Sequence, residues 1–160
     1  MKSKILFFIL FIGAISYLQA QLYQRYDPES VQNRRFEIGV MIGAPTGVNA
    51  KYWIDPRSAL DLAAAWLFED EGYFEIHGDY LFHYLYPPVT KGLLPLYFGL
   101  GPTLRIGEDN SYFGIRIPIG IEYFILDIPL SVFGEIGPRV EIIPNSSVKV
   151  AGGVGIRFVF

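Results

Sequence analysis

From Arg35 to Phe160 the chain alternates apolar and polar residues with a period of two, almost without interruption. Successive side chains of a β-strand point to opposite faces, whereas an α-helix repeats every 3.6 residues, so this pattern commits the chain to two-faced strands. Eight segments carry it, at 35–43, 47–54, 59–68, 73–86, 93–106, 112–124, 130–143 and 148–160. APT, DPRS, EDEG, PPVTKG, GEDN, the stretch around Asp127-Ile128-Pro129, and PNSS separate them, all of them turn chemistry. The second segment is short, which moves its expected start toward Thr46.

The first 34 residues lack this pattern. Lys2 and Lys4 precede an apolar run from Ile5 to Ile15, and Leu18-Gln19-Ala20 offers a cut, so residues 1–20 read as a secretory signal peptide. The run is too short to span a bilayer as a helix, which needs about 20 apolar residues. Gln21 to Arg34 is polar and reads as a periplasmic tether, with 35–160 as the single domain. Removing Lys2 and Lys4 leaves 11 basic against 16 acidic residues, a balance that argues against nucleic acid as a partner. With no cysteine, the chain has neither a disulfide framework nor a thiol for lipid attachment.

One face of the segments is apolar throughout, from Phe36, Ile38, Val40 and Ile42 in the first to Val154, Ile156, Phe158 and Phe160 in the last. The opposite face carries Arg35, Glu37, Lys51, Asp61, Glu75, Asp79, Arg105, Arg116, Glu122, Glu135, Arg139, Glu141, Lys149 and Arg157, together with His77 and His83. Seven of these charges are acidic and seven basic. Ten of the seventeen glycines, among them Gly99, Gly120, Gly137 and Gly155, share that face.

Such alternation fits two opposite molecules: a soluble barrel with an apolar lumen, or a transmembrane barrel with an apolar exterior and a polar lumen. A solvated face is rich in Lys, Glu, Ser and Thr; this one is balanced in charge, favours Arg over Lys and is padded with glycine, which suits a crowded interior. Aromatic residues of the apolar face gather at segment ends, with Phe36, Tyr52, Tyr84, Tyr86, Tyr123, Phe158 and Phe160 at one level and Trp66, Phe68, Phe74 and Phe113 at the other. They are placed like the two interfacial girdles of a membrane barrel. The expectation is an all-β, eight-stranded, antiparallel up-and-down transmembrane barrel in the outer membrane of a diderm bacterium, embedded in its lipid. Pro95, Pro102, Pro118 and Pro138 fall inside segments and predict missing ladder hydrogen bonds near a rim or a water-lined wall.

The signal peptide, the eight alternating segments and the terminal VGIRFVF resemble the small outer-membrane β-barrels of the OmpA and OmpX type. IGAPTGVNAKYWI, LPLYFGLGPTLRIG, GIRIPIGIEYFILDIPLSVFGEIGPRVEIIP and GGVGIRFVF are similar to a short-looped family of unknown function from spirochaete outer membranes. The resemblance covers about residues 36–160. It implies that Phe160 is the mark read by the barrel-insertion machinery during assembly, and it carries no catalytic motif.

The inward charges are expected to pair into a network that plugs the lumen, since an unpaired charge in a dry interior is heavily penalised. Glu75, His77, Asp79 and His83 share one face of the fourth segment at the spacing of metal ligands or of an acid–base pair, with Ser131 on the same side of the barrel. No second Ser, Cys or His stands at a recognised spacing, so the expectation is no catalytic site, no metal and no cofactor. GAPTG at 43–47 lacks the lysine and following helix of a phosphate loop and reads as a hairpin turn. Glu69, Asp70, Glu71, Glu108 and Asp109 would form acidic tips at the outer end. Such tips suit solubility at an anionic leaflet, and connections this short name no surface ligand. The reading is a non-enzymatic outer-membrane protein with a structural or surface-interaction role. The alternatives are a small conductance, a lipid-modifying enzyme, or a secreted soluble lipid-binding barrel.

Overall fold

A computed structural model describes residues 35–160 except 68–72, 86, 88, 90, 91, 109 and 126. The signal peptide, the tether, Glu69, Asp70, Glu71 and Asp109 lie outside the described residues. Every regular element described is a strand: β1 (Phe36–Ala44), β2 (Thr46–Trp53), β3 (Ser58–Leu67), β4 (Tyr73–Leu85), β5 (Leu96–Ile106), β6 (Ser111–Arg116), β7 (Ile119–Ile125), β8 (Leu130–Ile143) and β9 (Ser147–Val159).

All pairings are antiparallel, and β1 pairs with β9 from Glu37 opposite Val159 to Ala44 opposite Gly152, closing the sheet on itself. β6 and β7 each pair with both β5 and β8, so nine strands fill eight positions of a closed barrel. The single strand expected at 112–124 is therefore broken at Ile117-Pro118, where proline has no N–H to give the ladder. Two bonds carry the wall across the break: Ile117 N–H donates to the Pro138 carbonyl at 3.0 Å, and Gly99 N–H donates to the Pro118 carbonyl at 2.8 Å. The Pro95 carbonyl also accepts, from Glu122 N–H at 2.9 Å. The ladder further lapses beside Pro102, where β4–β5 pairing stops after His77 opposite Thr103 and resumes at Tyr80 opposite Leu100.

Turn chemistry sets the short ends. In the β2–β3 turn the Asp55 carboxylate accepts from the N–H groups of Arg57 at 2.7 Å and Ser58 at 2.9 Å, closing the connection in four residues. What burial it has works against ionisation, but these bonds hold its carboxyl below the usual range. Both ends of the described chain lie at this turn's end of the barrel, where Phe160 N–H donates to the Phe36 carbonyl at 2.8 Å.

Burial alternates as the sequence does, and the charged parity is the buried one. The apolar parity faces out, with Leu62, Ile119, Ile42 and Val150 between 61% and 69% exposed. This orientation leaves no apolar lumen of the kind a lipid-binding barrel would need. Rings ring both ends of the exterior: Phe36 with Phe160 at 6.0 Å and Phe158 with Phe160 at 4.8 Å below, Trp66 with Phe74 at 5.5 Å above.

Inward glycine makes the wall close enough to pack. A Cβ on Gly137 would stand 2.1 Å from the Ile117 carbonyl oxygen, so the strand break and this glycine form one unit. On Gly134, which faces out, the nearest atom is a Val154 methyl at 3.7 Å. Gly137→Ala is therefore expected to lower stability by about 1–3 kcal/mol, as overpacking against backbone does. Gly134→Ala should stay within about 0.5 kcal/mol of the parent. Denaturant titration of the refolded barrel checks both.

Candidate functional site: the charged lumen

The lumen is filled in layers. At the end nearest the termini, Trp53, Ala59, Leu81, Tyr97, Phe124 and Val159 pack together as a floor. The His83 ring is fully buried among them, 4.3 Å from Trp53 and 5.2 Å from Tyr97, and its Nδ1 lies 3.2 Å from the Arg57 carbonyl oxygen.

Above the floor stands a five-membered charge cluster. Lys51 Nζ lies 4.0 Å over the Trp53 ring, bonds Glu122 and sits 3.6 Å from Glu37. Arg157 donates to Glu122 at 2.9 Å and to Asp61 at 3.0 Å, and stacks 3.6 Å from the centre of Phe133. Trp53 Nε1–H donates to Glu37 at 2.5 Å, while Ser131 Oγ bridges Glu37 at 3.0 Å and Glu122 at 2.7 Å.

A second cluster continues toward the other mouth. Arg116 bonds Glu135, reaches Asp79 through Nε at 3.1 Å and sets a guanidinium nitrogen 2.6 Å from His77 Nε2. His77 Nδ1 lies 3.0 Å from Glu75, which also accepts from Arg139 at 2.7 Å. Tyr97 O–H donates to Glu135 at 2.9 Å, linking this cluster to the floor. At the top Arg105 bonds Glu141 and packs against both Tyr73 and Tyr112, 4.2 and 5.2 Å from their ring centres.

Glu37 and Lys51 pair along the sheet, directly opposite each other on β1 and β2, but much of the remaining pairing runs across the lumen. Asp61 stands directly opposite Asp79 on the neighbouring strand, and Arg116 opposite Arg139. Like charges so placed are destabilising. Here each also meets an opposite charge: Arg157 on β9 for Asp61, Arg116 on β6 for Asp79, Glu75 on β4 for Arg139, and Glu135 on the neighbouring β8 for Arg116.

Twelve of the fourteen charges expected in the lumen are buried, and Arg35 and Lys149 are corrections. Arg35 precedes the first paired residue of β1, and Lys149 keeps the inward parity but sits near the open end of β9; both are exposed. The buried set is thus seven acids against five bases, not an even match. His77 belongs to the charge network, whereas His83 belongs to the floor, so the two histidines of β4 do not act together. Glu108 is exposed on the β5–β6 turn.

Asp61, His77 and Asp79 bring ligand atoms within 4.8 Å of one another, the geometry of a metal site. Arg157 already holds Asp61, and Arg116 holds both Asp79 and His77, so a guanidinium stands where a metal cation would. Ser131 is engaged by two carboxylates, which cannot orient it as a nucleophile in the way an adjacent histidine would. Residue parity would have found what the sequence reading passed over: Trp53, Tyr73, Tyr97, Phe124 and Phe133 share the register of the charges and are buried with them.

The fold has a known counterpart. The chain is similar to the crystal structure of the N-terminal β-barrel domain of Pseudomonas aeruginosa OprF, with a TM-score of 0.62 and 17% identity over 78% of this chain and 96% of that one. At this identity the likeness is one of fold, an eight-stranded closed barrel. No family model matches the chain, and no curated protein does.

Removing one partner of a buried ion pair strands the other, at a cost of about 3–5 kcal/mol. Arg157→Met is expected to fall in that range, because it strands Asp61 and Glu122 together. Lys149→Met, at an exposed position, should change stability by less than about 0.5 kcal/mol. Unfolding midpoints of the two variants check the contrast.

Proposed function

We propose that this chain is a non-enzymatic integral outer-membrane barrel with a closed lumen, acting through its place in the envelope and its exposed ends. The carrying observation is orientation. Large apolar side chains cover the whole outer wall, while the charges lie buried and paired inside. Soluble monomers rarely expose contiguous apolar patches beyond a few hundred Å², and in lipid only a closed sheet leaves no unpaired edge. Export through the signal peptide at 1–20, lipid as the surrounding medium and recognition of Phe160 by the insertion machinery are parts of the same reading. So is kinship with the short-looped spirochaete barrels.

A closed lumen is favoured over a conductance by the floor of Trp53, Tyr97 and Phe124 and by Arg105 packed against Tyr73 and Tyr112 at the other mouth. A lipid-modifying activity is disfavoured because His77 is committed to Glu75 and Arg116, and His83 is buried in the floor.

Refolding with and without detergent tests the membrane reading. Compact, β-rich, heat-modifiable protein is expected only with detergent, and a soluble β-rich monomer in plain buffer would sink it. In planar bilayers the parent should give no steady current. Trp53→Ala combined with Tyr97→Ala, which removes the floor, should leak. A steady current through the parent would make the pore the better reading.

A further inference from the structure

We propose that Glu37, Ser131 and Glu122 form a buried proton-binding site, in which the Glu37 carboxyl is protonated and donates to Ser131 Oγ while Ser131 donates to the ionised Glu122. The argument begins with donor counting. A serine hydroxyl has one proton to give and two lone pairs to receive with. Ser131 Oγ nonetheless lies within hydrogen-bond distance of two carboxyl groups, Oε2 of Glu37 at 3.0 Å and Oε1 of Glu122 at 2.7 Å. It can donate to only one of them, so the other contact is a bond only if that carboxyl carries a proton.

The surroundings decide which one. Glu122 is bonded directly by two cations, Lys51 from β2 and Arg157 from β9. Glu37 receives a neutral donor, Trp53 Nε1–H at 2.5 Å, and its nearer cation, Lys51, stands 3.6 Å away. The proton therefore sits on Glu37, and the chain Glu37 to Ser131 to Glu122 has every donor matched to an acceptor.

Charge counting leads independently to the same place. Glu37, Glu122 and Asp61 share two cations, Lys51 and Arg157, so one carboxylate is in excess. The remaining groups packed around the site add no cation: His83 from β4 lies beyond the Trp53 ring, Tyr97 from β5 is neutral, and Glu135 from β8 is bonded to Arg116. An uncompensated charge in a sealed interior is costly. One bound proton removes it.

A proton held in the folded barrel and released by the unfolded chain at neutral pH makes stability fall as pH rises, since the unfolded state binds fewer protons. Infrared absorption of the full chain, refolded and shown by circular dichroism to be β-rich, tests the site in whichever medium it folds. The expected spectrum at neutral pH contains the carbonyl stretch of a protonated carboxylic acid, shifted in heavy water and absent from the Glu37→Gln variant. Glu37→Gln keeps the shape and neutrality of the protonated carboxyl, so its unfolding midpoint should match the parent's only below about pH 4.3, where an unfolded glutamate is also protonated, and should exceed the parent's increasingly as pH rises through neutral. Glu122→Gln, which removes the ionised partner of two cations, should instead unfold much more readily. Absence of the acid band from the parent would overturn the proposal. So would its persistence in Glu37→Gln, its loss from Glu122→Gln alone, or a failure of Glu37→Gln to fold.

Discussion

A charge taken out of water must meet its counter-charge inside the protein, and the rest of this barrel is arranged around that requirement. Twelve charged side chains lie in a lumen only eight strands wide. Neighbours along the sheet cannot satisfy all of them, because Asp61 faces Asp79 and Arg116 faces Arg139. The solution crosses the lumen, with β9 reaching β3 and β7, β6 reaching β4, and β8 reaching β4. Such bridges tie strands that share no ladder. They also explain the choice of bases: four of the five buried cations are arginines, whose planar fork bonds two acceptors at once. Arg157 and Arg116 both divide their donors in this way.

The wall shows what closure tolerates. Three prolines, Pro102, Pro118 and Pro138, meet on the adjoining strands β5, β6–β7 and β8, where each removes an N–H from the ladder. The barrel stays shut because carbonyls of the same prolines accept from Ile117 and Gly99, and because Gly137 lets the broken strand come close. Similar economy of volume appears inside. A Cβ on Gly120 would stand 2.2 Å from the Tyr97 ring, and one on Gly155 would stand 2.4 Å from Phe133, so a glycine on one strand makes room for an aromatic reaching across from another.

Much of this was legible in the alternation. Period two, eight segments and a charged face opposite an apolar one led to a closed barrel, and the crowded character of the charged face told inside from outside. Pairing across the lumen was not legible, because it depends on barrel diameter and on how far each strand is staggered, and neither is written in any single segment. Arg35 and Lys149 show a related gap: parity gives the face a residue points to, not its height, and a residue near an open end points inward yet meets water. The aromatic floor was overlooked for another reason. Apolar residues on the polar parity look like breaks in the pattern, yet Trp53, Tyr97 and Phe124 pack together inside the barrel. Pro118 kept the phase of alternation, so the sequence foretold a missing ladder hydrogen bond there but not two separate strands.

The floor and the charge network depend on each other. Trp53 supplies a ring beneath Lys51 and an N–H for Glu37, and Tyr97 supplies an O–H for Glu135, so the same residues that exclude water also stabilise the charges above them. With water excluded, electrostatic attraction within the network strengthens and any imbalance becomes more expensive. Among the described residues the buried set has seven acids and five bases, so the lumen they form is short of positive charge. Near the metal-like trio of Asp61, His77 and Asp79 the place of a cation is taken by Arg116 and Arg157, while at Ser131 the geometry calls for a proton.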